Sequence, residues 1–160
     1  MDKDLILSWD ETFMQMCDLI SRRSKDPNTK CGAVIVDEQN VIVGLGYNGW
    51  PRGILQNDLP WDREGALHET KYAYVVHAEA NAIYNSNKDT KNCKLYVNLF
   101  PCNECAKIII QNRIKEVIYK SDKYHDTEIC KASRKMLDLA GVKYRQYTPE
   151  YEVDLSKSKE

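Results

Sequence analysis

The sequence predicts an α/β domain, a mostly parallel β-sheet with helices packed on it and entered through a β-hairpin. Three observations carry this reading. In the second half of the chain, helix-like and strand-like segments alternate, which is the order that builds a parallel sheet. Ahead of them, two strand-like runs are joined by the short polar turn Asp37–Asn40, the mark of a hairpin. The chain has 160 residues, which suits one domain and is long enough to bury a sizeable core.

The elements follow in order. Leu5, Ile6, Trp9, Phe13, Met16, Cys17 and Ile20 recur mostly three and four apart, which gives a first helix one apolar face. It is expected to end near Arg22–Ser24, because Lys25-Asp26-Pro27-Asn28-Thr29 reads as a turn. Cys31–Val36 and Val41–Gly46 are the hairpin strands. Tyr47 to Lys71 is a long irregular stretch punctuated by Gly49, Pro51, Gly53, Pro60 and Gly65; a loop of that length inside one domain is usually functional or disordered. Helices are then expected over Ala78–Asn85, Asn103–Gln111 and Thr127–Ala140, the last stopped by Gly141. Strands are expected over Lys94–Leu99, Glu116–Lys120 and Val142–Tyr147. Residues 1–150 thus form one domain, and the charged tail from Tyr151 to Glu160 is expected to fray.

Composition narrows the functional classes. Hydrophobic residues make up 42% and charged residues 29%, the profile of a globular protein and not of a disordered chain. Lys+Arg number 23 and Asp+Glu 24, and the net charge of −1 argues against a general nucleic-acid binder. Apolar runs such as Ala33–Val36 and Ile108–Ile110 fall far short of the roughly 18 residues of a membrane span. The polar start, Met1-Asp2-Lys3-Asp4, leads into no apolar signal core, so a cytoplasmic protein is expected. Disulfides are not expected there among Cys17, Cys31, Cys93, Cys102, Cys105 and Cys130; a close pair instead suggests metal or redox chemistry.

Two short motifs carry that chemistry: His77-Ala78-Glu79 and Pro101-Cys102-Asn103-Glu104-Cys105. Each opens an expected helix, where free N–H groups and a partial positive charge favour thiolates. Two thiolates and an imidazole are three good zinc ligands, and three protein ligands leave the fourth tetrahedral position open, as catalytic zinc sites do. A metal there lowers the pKa of its water from ~16 to about 7. Glu79, two residues beyond the histidine, is placed to carry protons without ligating. A lone C-x-x-C also suits a redox pair or half a zinc ribbon. The other four cysteines supply no second C-x-x-C for a ribbon, and a redox motif has no use for His77 and Glu79. H-x-E followed by P-C-x-x-C is the known signature of zinc nucleobase deaminases. His68 and His125 read as surface or loop histidines, and the four remaining cysteines as small buried apolar residues. Trp50 and Trp61 either line a pocket or plug the long loop onto the core.

With these motifs the chain resembles the deoxycytidylate branch of the cytidine and deoxycytidylate deaminase superfamily, from about Trp9 to Tyr147. Beyond the zinc motifs, the segments Arg23-Ser24-Lys25-Asp26-Pro27-Asn28, Gly46-Tyr47-Asn48-Gly49, Thr70-Lys71-Tyr72 and Ser121-Asp122-Lys123-Tyr124-His125-Asp126 carry the likeness. The resemblance implies a three-layer α/β/α fold with a central five-stranded mixed sheet. It implies hydrolytic deamination of dCMP to dUMP and ammonia, which feeds thymidylate synthesis. His77, Cys102 and Cys105 then hold one catalytic Zn²⁺ per chain, and Glu79 shuttles protons to N3 and to the leaving amino group. A structural second zinc is not expected, because the long loop offers His68 and no cysteine.

A free mononucleotide also needs phosphate recognition. By residue type alone, Arg23, Ser24 and Lys25 suit a phosphate and a solvated helix end equally. The resemblance favours the phosphate, most for Ser24 and Lys25. Asn28 and Asn48 are candidate sugar or base contacts, with turn formation as the plain alternative. Tyr124 is a candidate substrate contact, with core packing as its alternative. The resemblance further implies activation by dCTP and inhibition by dTTP, with Mg²⁺ accompanying the triphosphate. Gly46, Tyr47, Asn48, Gly49 and Arg52 fall in the region linked to that effect. It also implies a homo-oligomer, with a hexamer favoured, and no nucleic-acid or membrane partner.

Two competing readings remain. tRNA adenosine deaminases share the zinc motifs but must grip an anticodon loop, which favours a basic surface; the net charge of −1 and the mildly acidic segments Met1–Glu11 and Tyr151–Glu160 speak against that. Free-cytidine and riboflavin-pathway deaminases lack the combined Arg-Ser-Lys-Asp-Pro and Ser-Asp-Lys-Tyr segments. A non-catalytic zinc-binding, nucleotide-binding subunit is the alternative from another class, and an intact Glu79 argues against it.

Overall fold

The computed structural model describes residues 6–150; the charged tail expected to fray lies outside them. Ser8 starts the first helix, α1 (Trp9–Ser21), by accepting a 3.1 Å hydrogen bond from the Glu11 N–H. Sequence periodicity placed that start near Leu5, and the correction has a simple cause. Apolar spacing continues through Ile6, but the cap fixes the first turn, and Ile6 stays 86% exposed. Strands β1 (Gly32–Val36) and β2 (Ile42–Tyr47) form the hairpin. Its turn is built by Asp37, whose Oδ1 accepts from the N–H groups of Gln39 and Val41 at 2.8 and 3.0 Å.

Next come α2 (Ala78–Tyr84), β3 (Lys94–Leu99), α3 (Asn103–Gln111), β4 (Glu116–Ser121), α4 (Glu128–Ala140) and β5 (Lys143–Gln146). The sheet order is β2-β1-β3-β4-β5. β1 runs antiparallel to both β2 and β3, and β3, β4 and β5 run parallel, so the sheet is mixed, as the resemblance implied. The long stretch between β2 and α2 is irregular apart from two short 3₁₀ turns, Leu67–Glu69 and Lys71–Ala73.

Side-chain alternation divides the core into two faces. Val34, Val36, Tyr96 and Ile118 meet Phe13, Met14 and Cys17 of α1 on one face. Ala33, Ile35, Leu95, Val97 and Val117 meet residues of α2, α3 and α4 on the other. The result is the three-layer α/β/α arrangement. Close packing of α2 on β2 requires glycine. A Cβ at Gly46 would lie 2.5 Å from the Ala82 nitrogen, and one at Gly44 would lie 2.4 Å from the Ala82 oxygen. This contact holds α2 close to β2, and His77 stands at the N-cap of that helix.

Candidate metal centre and active-site cavity

His77 and Cys102 are the N-cap residues of α2 and α3. Both have extended backbones, so each side chain turns off the helix start toward the same point. Cys105, one turn into α3, completes the group. His77 Nδ1 lies 3.3 Å from Cys105 Sγ and 3.4 Å from Cys102 Sγ. A tetrahedral zinc, with Zn–N about 2.0–2.1 Å and Zn–S about 2.3 Å, needs N···S edges of about 3.6 Å. The donor set and its spacing fit that ion. Among the described residues, this is the one such group of three or more His, Cys, Asp or Glu side chains.

The trio is charged unevenly. Cys102 is drawn down to about 4, chiefly by the hydrogen bond from the Cys105 thiol, with His77 and the Cys105 N–H adding to it against the opposing cost of burial. Cys105, the donor in that pair and buried, is pushed up. His77 is raised to about 9, first by its hydrogen bond to Cys102. Glu79 is 5% exposed, and burial pushes its carboxyl up; the neighbouring His77 pulls the other way.

These groups face a cavity of about 420 Å³, within the range of small-ligand pockets. Of the expected substrate contacts, Asn48 and Tyr124 line it, while Arg23, Ser24, Lys25 and Asn28 do not. Arg23, Lys25 and Asn28 are exposed on the preceding loop. Ser24 is buried and donates to the Asn48 carbonyl at 2.9 Å, so it braces Asn48 from behind. The Asn48 side chain is occupied by backbone. Its Oδ1 accepts from the Cys31 N–H at 2.8 Å and its Nδ2 donates to the Thr29 carbonyl at 2.9 Å.

The segment expected to be regulatory is tied to the same place. Gly49 exchanges two backbone hydrogen bonds with Val76, at 3.0 and 2.8 Å, one residue before His77. The Tyr47 carbonyl accepts from Asn81 of α2 at 2.8 Å, and Arg52 donates to Asn85 at 2.7 Å. Trp50 and Trp61 stack on each other within the long loop, with ring centroids 3.7 Å apart, and do not line the cavity. His68 and His125 are exposed, and Cys17, Cys31, Cys93 and Cys130 are buried, as expected.

Three charged lining residues were not singled out from the sequence: Asp26, Lys71 and Arg63. Asp26 and Lys71 form a 2.6 Å ion pair with side chains 2% and 6% exposed. Burial alone would raise the Asp26 carboxyl, but Lys71 and the N–H groups of Asn28 and Thr29 more than offset it and hold it below its ordinary value. The pair spans 45 residues of sequence, and Lys71 sat in the Thr70-Lys71-Tyr72 segment that already carried the resemblance.

Comparison with known proteins agrees with this geometry. Residues 7–121 match the family described as cytidine and deoxycytidylate deaminase zinc-binding region. Deoxycytidylate deaminase of Mus musculus is 55% identical over 152 residues, covering 93% of this chain and 85% of the relative. The Homo sapiens enzyme of the same name is 54% identical over 150 residues, covering 92% of this chain and 84% of the relative. Among solved structures, dCMP deaminase from the cyanophage S-TIM5, in complex with dCMP and dUMP, superposes with a TM-score of 0.71. It is 27% identical, and the match covers 92% of this chain and 99% of that one. Among the described residues, no helix is long and apolar enough to cross a membrane.

Proposed function

The chain belongs to the cytidine and deoxycytidylate deaminase family, and we propose that it hydrolyses dCMP to dUMP and ammonia. One observation carries the reading. A buried carboxyl, Glu79, sits beside a Cys₂His trio facing a nucleotide-sized cavity, on a chain more than half identical to deoxycytidylate deaminases. His77, Cys102 and Cys105 would hold zinc. The ion, when bound, supplies a water activated for attack at neutral pH.

The chain's own residues do the rest. Glu79 takes a proton from the attacking water and passes it to N3 of cytosine. It then carries the water's second proton to the amino group as the C4–N bond breaks. The water oxygen remains on C4, and ammonia leaves with the added proton, so the atoms balance. Burial suits Glu79 to this task, because a carboxyl short of hydration holds a proton between transfers. Asn48, fixed by Ser24, Thr29 and Cys31, and Tyr124 at the rim position the nucleotide.

Regulation belongs to the same reading. dCTP activates and dTTP inhibits, with Mg²⁺ on the triphosphate, through Gly46, Tyr47, Asn48, Gly49 and Arg52. The active species is a homo-oligomer, a hexamer, and the dUMP product feeds thymidylate synthesis in the cytoplasm. Connectivity supports the regulatory part: the segment touches the cavity through Asn48 and abuts His77 through the Gly49–Val76 pair. An ultraviolet deamination assay on zinc-loaded protein tests it, comparing dCMP with deoxycytidine, each with and without dCTP and Mg²⁺. Turnover of dCMP, raised by dCTP, is expected. No turnover of either substrate by folded, zinc-bearing protein would overturn the reading.

A further inference from the structure

We propose that Arg63, inside the cavity, is the residue that recognises the 5′-phosphate of the substrate, and that the exposed cations Arg23 and Lys25 are not. The inference rests on the dCMP reading and says which side chain makes a nucleotide, and not a nucleoside, the preferred substrate.

The argument is one of charge. Two basic side chains other than the metal-ligand candidate His77 line the cavity, Lys71 and Arg63. Lys71 is already neutralised by Asp26 at 2.6 Å, with both side chains buried. Arg63 makes no hydrogen bond or ion pair with another described residue. It is thus the one uncompensated cation lining the cavity among the described residues. A planar guanidinium with its donors free is the side chain best matched to two phosphate oxygens at once.

Arg63 is also held in place. The Lys71 N–H donates to the Asp62 carbonyl at 2.9 Å, which ties the backbone next to Arg63 to the buried ion pair. Lys71 is anchored in turn through its ammonium to Asp26, which accepts from the N–H groups of Asn28 and Thr29 at 2.8 and 3.1 Å. The long loop and the turn after α1 are thereby stitched together on one side of the cavity, and Arg63 stands at its exposed edge. The Asp-Pro-Asn turn acts in this arrangement through its aspartate, as a brace.

The test measures kcat and KM on dCMP and on deoxycytidine for the zinc-loaded wild type, Arg63→Ala, Arg63→Lys and Lys25→Ala. Calorimetric binding of dUMP and deoxyuridine to the same proteins accompanies it. Loss of a charge-assisted phosphate contact predicts a drop of roughly 10- to 100-fold in kcat/KM on dCMP for Arg63→Ala. The change on deoxycytidine should be under about threefold, Arg63→Lys should recover part of the loss, and Lys25→Ala should behave as wild type. Binding of dUMP should weaken by the same factor, with deoxyuridine unaffected. Wild-type KM for dCMP in Arg63→Ala, an equal loss on both substrates, or a selective loss in Lys25→Ala would overturn the assignment. If the wild type turned over neither substrate, the deaminase reading would fail. The binding arm would then decide this assignment by itself: unchanged dUMP affinity in Arg63→Ala would overturn it, and a selective loss would uphold it.

Discussion

Two buried glutamates lie on opposite faces of the sheet, and their surroundings differ in kind. Glu11, on α1, is fully buried and well supplied with donors. Tyr147 donates its hydroxyl to it, Gln15 donates from 3.1 Å, and the Glu150 N–H lies 3.5 Å away. Glu79, on α2, is also buried, but it stands beside two thiols and an imidazole, and burial dominates its ionisation. A buried carboxylate supplied with donors is fastening. One that burial pushes toward its protonated form, beside a candidate metal-ligand trio and facing a cavity, suits the proton-carrying role proposed for Glu79. The α1 face shows the same fastening elsewhere: Arg145 meets Asp10 at 2.6 and 3.0 Å, and Tyr96 donates to Asp10 at 2.6 Å. The candidate metal trio and the cavity lie on the other face, where α2 and α3 start.

Substitutions on the two faces should therefore separate metal and activity from stability. Cys102→Ala removes a proposed ligand, and zinc measured by mass spectrometry should fall from one per chain to near zero. Turnover should vanish, and thermal stability should fall with the metal. Tyr147→Phe leaves Glu11 short of a donor and should cost about 1–3 kcal/mol in denaturant unfolding. Its kcat per folded molecule should match wild type, so a loss of kcat without a loss of stability would break the division between faces. Asp10→Asn is the mildest, at about 1 kcal/mol or less, because the ion pair with Arg145 is half exposed and screened. Its pH dependence is fixed in sign. The Arg145 hydrogen bond, working against burial, holds the Asp10 carboxyl below its ordinary value of 3.8. The stability it contributes is present above that value and lost as pH falls through the lower folded one. The gap in melting temperature between wild type and Asp10→Asn should close only below about pH 4.

Much of this was legible in the residues. His77, Cys102 and Cys105 announce themselves because ligand chemistry demands particular residue types at helix starts, and short-range spacing records it. The strands are legible because alternate residues enter opposite cores, as Val34 and Ile35 do. The start of α1 was misplaced because apolar spacing outruns the cap at Ser8. The Asp26–Lys71 pair was not legible. Its members are 45 residues apart, each is an ordinary charged residue in a loop, and only the fold brings them together. Arg63 was hidden in the same way, since nothing local separates a cation facing a cavity from one facing water. Ser24 reads from the sequence as a phosphate contact, but its hydroxyl donates to the Asn48 carbonyl and steadies Asn48, which lines the cavity and is held by the backbone of Cys31 and Thr29.

The division between faces rests most heavily on Glu79, and Glu79→Ala tests it directly. Zinc content and dCMP turnover would be measured on one preparation. In the proposed mechanism the carboxyl acts on protons and does not ligate, so one zinc per chain should remain while kcat falls by about 10²–10⁴-fold or more. Retained turnover, or loss of the metal along with it, would contradict the role assigned to Glu79.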